Sequence, residues 1–208
     1  MGDSSAGPRR NRVTPIGDIE AFPLRGAWTG NRGVIHRGHD IVRFHAGDLW
    51  ITCALEFRGR WREQWLPNRW THLYFHDEAV SFAAGHRPCA ECRRASYLSY
   101  RDAWAAAVGR RPSATEINRQ LHAERLFRGT HRRRLHQLPW SCLPAGAFVL
   151  LDETPALTLA DHLALWSRSG YQGRKPLPKS GVATVITPPS TITVLQAGYP
   201  VQIDPAAL

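Results

Sequence analysis

The chain has 208 residues, 43% of them hydrophobic, which is enough for one sizeable core without help from a metal; no run nears the roughly 20 apolar residues of a membrane span. The formal net charge of +10 rests on 25 Arg and two Lys, a balance that favours phosphate-bearing partners but is also what a biased genomic base composition yields. Four cysteines are too few for a disulfide scaffold, and a polar N-terminus without an apolar leader points to the cytoplasm, so a close cysteine pair there reads as metal-binding or redox-active.

Residues 1–12, rich in Gly, Ser, Pro and Arg, read as a disordered basic tail ahead of a single domain spanning 13–208. From Val13 to Phe75 the pattern is of short β-type runs punctuated by glycine, at 30–33, 41–44, 49–53 and 70–75, which together predict a small mixed sheet. Helical signals follow. The first covers 77–84 and is closed by Gly85; the second runs from about 89 to 108 and is stopped by Gly109. Tyr97, Tyr100 and Trp104 recur along that second helix at helical spacing and are read as a core stripe rather than a base-stacking platform. A third helix opens at Ser113-Ala114-Thr115-Glu116, a capping-box pattern, and extends to about Phe127. After Pro139 β-type runs return at 147–151 and 182–187. Between them the stretch 169–181, with Gly170, Gly173, Gly181, Pro176 and Pro178, reads as a mobile flap or binding loop. Pro188-Pro189-Ser190-Thr191 starts a short last helix. With no internal repeat and no clean boundary, the fold class is α+β, with a helical middle and a C-terminal β-rich lobe at about 139–208.

Chemistry concentrates at Gly85-His86-Arg87-Pro88-Cys89-Ala90-Glu91-Cys92-Arg93-Arg94. Two thiolates three positions apart in a tight turn can share one tetrahedral ion, and a following helix N-terminus with Arg87, Arg93 and Arg94 nearby lowers thiol pKa values. A thioredoxin-type redox pair would follow a strand in a βαβ unit, whereas the segment before this pair reads as helical. Zinc needs two further ligands, or one and a water. Cys53, at the end of the 49–53 run, ranks first, with Cys142, His86, His131 and His136 as the other candidates.

Beyond the knuckle, Thr130-His131-Arg132-Arg133-Arg134-Leu135-His136 packs three arginines into a post-glycine segment. Arg132, Arg133 and Arg134, with Arg87, Arg93 and Arg94, are the candidate nucleic-acid contacts. Trp61, Trp65 and Trp70 lie among Arg60, Arg62 and Arg69, interleaved as in single-strand binders, although core packing explains most of the eight tryptophans more cheaply. Neither a phosphate-binding glycine loop nor a serine nucleophile elbow is present.

These residues resemble the zinc-binding N-terminal domain of Ada-type methylphosphotriester DNA repair proteins. That domain ends in a Phe-Phe pair, a short helix with Glu-Ala and Ala-Ala-Gly, an aromatic residue, then Arg-Pro-Cys, two residues and Cys-Arg. Here the corresponding residues are Tyr74-Phe75, Glu78-Ala79, Ala83-Ala84-Gly85, His86-Arg87-Pro88-Cys89 and Cys92-Arg93. The resemblance covers about residues 48–96. It implies that Asp48 to Cys53 supplies the strand whose cysteine is both zinc ligand and methyl acceptor. The family's cysteine four residues further on is here Phe57, which leaves the fourth zinc position to water, substrate or His86, the residue in place of the usual aromatic.

The resemblance and the charge together imply a Zn2+ protein that binds or acts on nucleic acid, DNA favoured over RNA, with Cys53, Cys89, Cys92 and His86 as metal ligands and Cys53 as a catalytic candidate. A rival reading takes His122-Ala123-Glu124 with Pro88-Cys89-Ala90-Glu91-Cys92 as an echo of the zinc deaminases. There the His-x-Glu comes first and opens a helix; here it follows the cysteines and lies mid-helix. His122 and Glu124 are then catalytic candidates in a hydrolase or deaminase. An ordinary ion pair of Glu124 with Arg125 or Arg128 is the plainer alternative. A structural zinc in an interaction module is the third reading.

Overall fold

The computed structural model describes residues 7–60 and 63–208. Trp61 and Arg62, and the first six residues of the expected tail, lie outside the described residues. From Arg10 onward the tail expectation fails: Arg10 Nε donates to Ile19 O, Asn11 is buried, and β1 (Arg12–Val13) pairs with β2 (Ile19–Glu20) and β7 (Leu73–Phe75). Arginine reads as tail in sequence, yet here its guanidinium satisfies strand carbonyls.

Among the described residues, two six-stranded sheets and four α-helices make up the α+β fold. The first sheet runs β2-β1-β7-β3-β6-β8, with β3 at Trp28–Asn31, β6 at Ile51–Cys53 and β8 at Arg87–Pro88. The second runs β13-β12-β11-β10-β14-β9 and collects His136–Pro139 (β9), Phe148–Leu151 (β10), Thr154–Thr158 (β11), His162–Ser167 (β12), Gly170–Pro176 (β13) and Val182–Val185 (β14). A small hairpin pairs β4 (His36–Arg37) with β5 (Asp40–Ile41). The stretch 169–181 is therefore mostly strand β13, hairpinned onto β12 by the Ser167–Gly170 pair, and not a flap. Its glycines mark a turn and a hairpin edge, and the backbone hydrogen bonds of β12 hold it in place.

The helices are α1 (Glu78–Ala83), α2 (Arg94–Val108), α3 (Ala114–Arg125) and α4 (Pro189–Gln196). The capping box at Ser113 and Glu116 opens α3, and Asp77 caps α1 by accepting from Val80 N. Gly85, just past α1, has φ +86; a Cβ there would meet Arg125 Cδ at 2.6 Å, so both backbone sign and packing require glycine.

The second sheet is the middle layer. Along β10, Phe148 and Leu150 pack with Phe75, Val80 and the first sheet, while Val149 and Leu151 pack with Tyr97, Tyr100 and Leu121 of the helices. A strand buried on both faces reads as an uninterrupted apolar run, which is what 147–151 is. The expected stripe of Tyr97, Tyr100 and Trp104 is core. No helix among the described residues is long and apolar enough to cross a membrane.

Candidate metal centre

Strand pairing brings the three cysteines together. β6 and β8 run parallel with Thr52 opposite Pro88, and Cys89 N donates to Thr52 O at 2.9 Å, so Cys53 and Cys89 each stand one step beyond a paired position. β3 backs this arrangement, with Thr29 opposite Cys53 and Gly30 opposite Thr52. Gly30 is where the backbones press closest: a Cβ would stand 2.1 Å from Ile51 O. After Cys89 the chain turns, and Cys92 returns to the same point before α2 begins.

The sulfurs of Cys53, Cys89 and Cys92 all lie within 4.8 Å of one another, a group that can hold a metal ion. Tetrahedral zinc sets its sulfur ligands about 3.8 Å apart, so the trio fits with small side-chain adjustment. Glu91 N points at Cys89 Sγ at 3.4 Å, and the amides of Cys92 and Ala54 favour the thiolates of Cys89 and Cys92. Hydrogen bonds from the Cys53 and Cys92 thiols pull the Cys89 pKa far down, while the Cys53 thiol is pushed up by its bonds to the same two sulfurs and by burial. Three thiols so close cannot all ionise alone, and a divalent cation removes that repulsion.

Phe57, in the position of the resembled family's fourth cysteine, lines a cavity of about 570 Å³ that the three cysteines also line. Trp70, Tyr74, Leu49 and Leu55 form apolar wall, and Asn31, Gln64, His72 and Glu91 supply polar edges. Trp70 and His72 are stacked, ring centroids 4.2 Å apart. Trp65, by contrast, packs edge-on against His36 and His39. Arg58 and Arg60 lie over Phe57 at 4.9 and 5.7 Å, and Arg60 pairs with Glu91 at 3.0 Å.

His86 does not join the sulfurs. Strand alternation turns it away from Cys89, and its buried ring packs on Phe75 and Trp50 while Nε2 accepts from Arg32 Nε at 3.3 Å. Burial and the cations Arg32 and Arg125 hold its pKa well below the ordinary histidine value. The other candidates are elsewhere too. Cys142 is exposed, His131 packs on Phe44 and His45, and His136 Nε2 meets Glu124 O. Among the described residues no fourth Cys, His, Asp or Glu completes the group.

The His-x-Glu reading also fails on position. Glu124 Oε2 accepts from Ser190 N at 3.0 Å and Oε1 from Ser190 Oγ at 2.6 Å, so the carboxylate caps the first turn of α4. His122 Nδ1 meets Arg125 Nη2 at 3.0 Å, beside His45. Neither residue belongs to the sulfur group or its cavity, and Glu124 pairs with neither Arg125 nor Arg128.

Half of the arginines chosen for nucleic acid turn inward. Arg87 Nε donates to Asn118 Oδ1 at 2.8 Å; Arg93 Nη2 donates to Glu78 Oε1 at 2.6 Å; the guanidinium of Arg133 donates to the carbonyls of Ala83, Ala84 and Ile186. Arg94, Arg132 and Arg134 remain exposed. Sequence spacing alone does not say whether a cation faces water or caps a buried carbonyl.

Comparison with known proteins adds no relative: no family model, curated protein or solved structure matches the chain.

Proposed function

We propose that the chain is a zinc protein whose centre, held by Cys53, Cys89 and Cys92, receives one group of a nucleic acid in the cavity beside it. The observation that carries this reading is the trio of sulfurs opening onto an aromatic-lined cavity with no fourth protein ligand among the described residues. Three protein ligands with an accessible fourth position are the pattern of zinc sites that do chemistry, and zinc there supplies a Lewis-acid centre.

The surrounding residues support the same reading. Trp70, Phe57 and Tyr74 line the cavity with aromatic side chains of the kind that take a base or sugar, and Asn31 and Gln64 are polar groups at its edge. Arg58, Arg69 and Arg94 are exposed on segments that carry cavity or knuckle residues, and a net charge of +10 favours a polyanion. Within the site, Glu91 N and the buried Arg87 stabilise negative sulfur. The Ada resemblance is consistent with this set at Cys53, Cys89 and Cys92, and Phe57 is the departure that leaves the centre open.

The test joins metal content to binding. Purified chain should carry one zinc; Cys53→Ser, Cys89→Ser and Cys92→Ser should each lose it, and Cys142→Ser should keep it. Labelled single- and double-stranded DNA and RNA should bind with an affinity that falls steeply with added salt. Trp70→Ala should weaken that binding about tenfold, from the loss of one stacked base. Zinc retained without nucleic-acid binding at low salt would identify a structural centre and defeat the proposal.

A further inference from the structure

Opposite the cysteines, the same two strands carry a second concentration of charge. Trp50 and His86 lie on the other face of the β6–β8 pair from Cys53 and Cys89. Arg32 lies over the Trp50 ring at 4.0 Å and Arg125 over it at 3.7 Å. Arg32 is 0% exposed and Arg125 1%. Arg133 reaches the same place from its own loop: a Cβ set on Gly17 would stand 3.6 Å from Arg32 Nη2 and 3.9 Å from Arg133 Nη1.

Three guanidinium groups thus converge in the interior, and among the described residues no carboxylate forms an ion pair with any of them. Arg125 and Arg133 give several of their N–H groups to neutral carbonyls. The Arg32 side chain has one hydrogen-bond partner, His86, and no protein group accepts from its buried Nη1 and Nη2; Arg125 Nε and Arg133 Nε likewise lack an acceptor. Burial of a charge without a counter-ion is among the costliest arrangements a fold can hold, and guanidinium does not escape by losing its proton. Burial and mutual repulsion depress Arg32 and Arg125 well below the ordinary arginine value. Asp18, exposed and next to Gly17, attracts Arg32 and Arg133 from beyond ion-pair distance, and Asp48 offers Arg125 only its carbonyl within hydrogen-bond reach.

We infer that Arg32, Arg125 and Arg133 form a buried binding site for a phosphate-class oxyanion, closed over by Phe44 and His45. The unpartnered Nη1 and Nη2 of Arg32, with the unpartnered Nε of Arg125 and of Arg133, offer several charged N–H donors, which suits a tetrahedral oxyanion better than a spherical halide. Phe44 lies over Arg32 at 4.6 Å and, like His45, is half-buried, so a small anion can enter by side-chain rotation. The middle of a duplex cannot reach so deep. The source is either free phosphate or a terminal phosphate on a nucleotide or strand end.

Equilibrium dialysis of the full chain against inorganic phosphate at fixed ionic strength should show one saturable site, and thermal unfolding should rise when phosphate replaces chloride. Arg32→Met should weaken phosphate binding about tenfold or more, as loss of hydrogen bonds to a charged group does. It should also unfold no earlier than wild type in phosphate-free buffer, because it removes an uncompensated charge. Asp18→Asn, a surface change, should tighten binding. Competition by nucleoside monophosphates and by 5′-phosphorylated but not unphosphorylated oligonucleotides would assign the site to a phosphate terminus; competition by inorganic phosphate and sulfate alone would assign it to a free ion. No saturable binding, or a phosphate response identical in wild type and Arg32→Met, overturns the inference.

Discussion

Arg93 Nη2 stands 2.6 Å from Glu78 Oε1 with both side chains almost wholly buried. The pair joins the start of α1 to the residue that follows Cys92, and Glu78 also accepts from Tyr199 OH and Gln202 N, which ties in the C-terminal segment. Removing one partner leaves the other charged in a low-dielectric setting. Arg93→Ala should therefore cost about 3–5 kcal/mol in urea unfolding. The exposed Arg60–Glu91 pair is the control, and Arg60→Ala should cost no more than about 1 kcal/mol. Equal costs would mean that the buried pair does not anchor the knuckle.

Glu124 acts through its cap on α4. Glu124→Ala leaves Ser190 N and Oγ without their acceptor and should destabilise the chain by about 1–3 kcal/mol. Zinc content should stay at one per chain, since the carboxylate is not part of the sulfur group. A variant of wild-type stability that has lost its metal would reinstate Glu124 at the centre.

The sulfur centre was legible because its determinants are local: a Cys-x-x-Cys turn, and a cysteine closing a short apolar run that pairs beside it. Glu124 lies three and seven residues from Leu121 and Ile117, a helical spacing that puts it on their buried face, but its partner Ser190 is 66 residues away in the chain and invisible to any spacing rule. Arg87, Arg93 and Arg133 were misread for the same reason: a buried guanidinium and a solvated one look alike until the carbonyls and carboxylates they meet are known. The β10–β11 hairpin escaped notice because its turn, Asp152-Glu153, adopts φ +47 and +68 without the Asn-Gly or Asp-Gly signal that left-handed turns usually carry. Glycine misled in the opposite sense at 169–181, where Gly170 turns a hairpin rather than freeing a loop.

Thiol chemistry separates a filled centre from three ordinary cysteines. With zinc bound, a thiol reagent applied to the native chain should react rapidly at Cys142 alone, the one exposed cysteine. A chelator strong enough to remove zinc should open Cys53, Cys89 and Cys92 to reaction as well. Rapid modification of three or more thiols in the zinc-loaded chain would contradict ligation by the trio.

Gly30 offers a backbone test of the same centre. A Cβ at this position would strike Ile51 O at 2.1 Å, within the β3–β6 pairing that sets Cys53 beside Cys89. Gly30→Ala should push β6 away and lower zinc affinity together with stability. Gly38→Ala, where a Cβ meets nothing within 4 Å, carries only the strain of a left-handed backbone and should leave metal affinity unchanged. Loss of zinc in both variants would show that general destabilisation, not strand spacing, governs the site.

Acid should weaken the fold through its histidines. Burial, then His122, His131, Arg125 and Arg32, lower the His45 pKa to about 4, against about 6.5 in an unfolded chain. His86 and His122 shift in the same direction. Between those values the unfolded state binds more protons than the folded one, so stability rises with pH across the window. The contribution is complete above about pH 6.5 and is lost progressively as pH falls towards 4. Unfolding free energies measured at pH 4.5, 5.5 and 7 should climb in that order, and His45→Gln should flatten the slope relative to wild type. The difference between the two curves isolates His45 from protonation of the thiolates, which acts in the same sense. Saturating phosphate should flatten the wild-type slope slightly, because an anion beside Arg32 and Arg125 offsets the smaller, cationic part of the His45 shift, while burial, His122 and His131 keep the larger part. A slope equal in wild type and His45→Gln would mean that His45 does not contribute to the acid response.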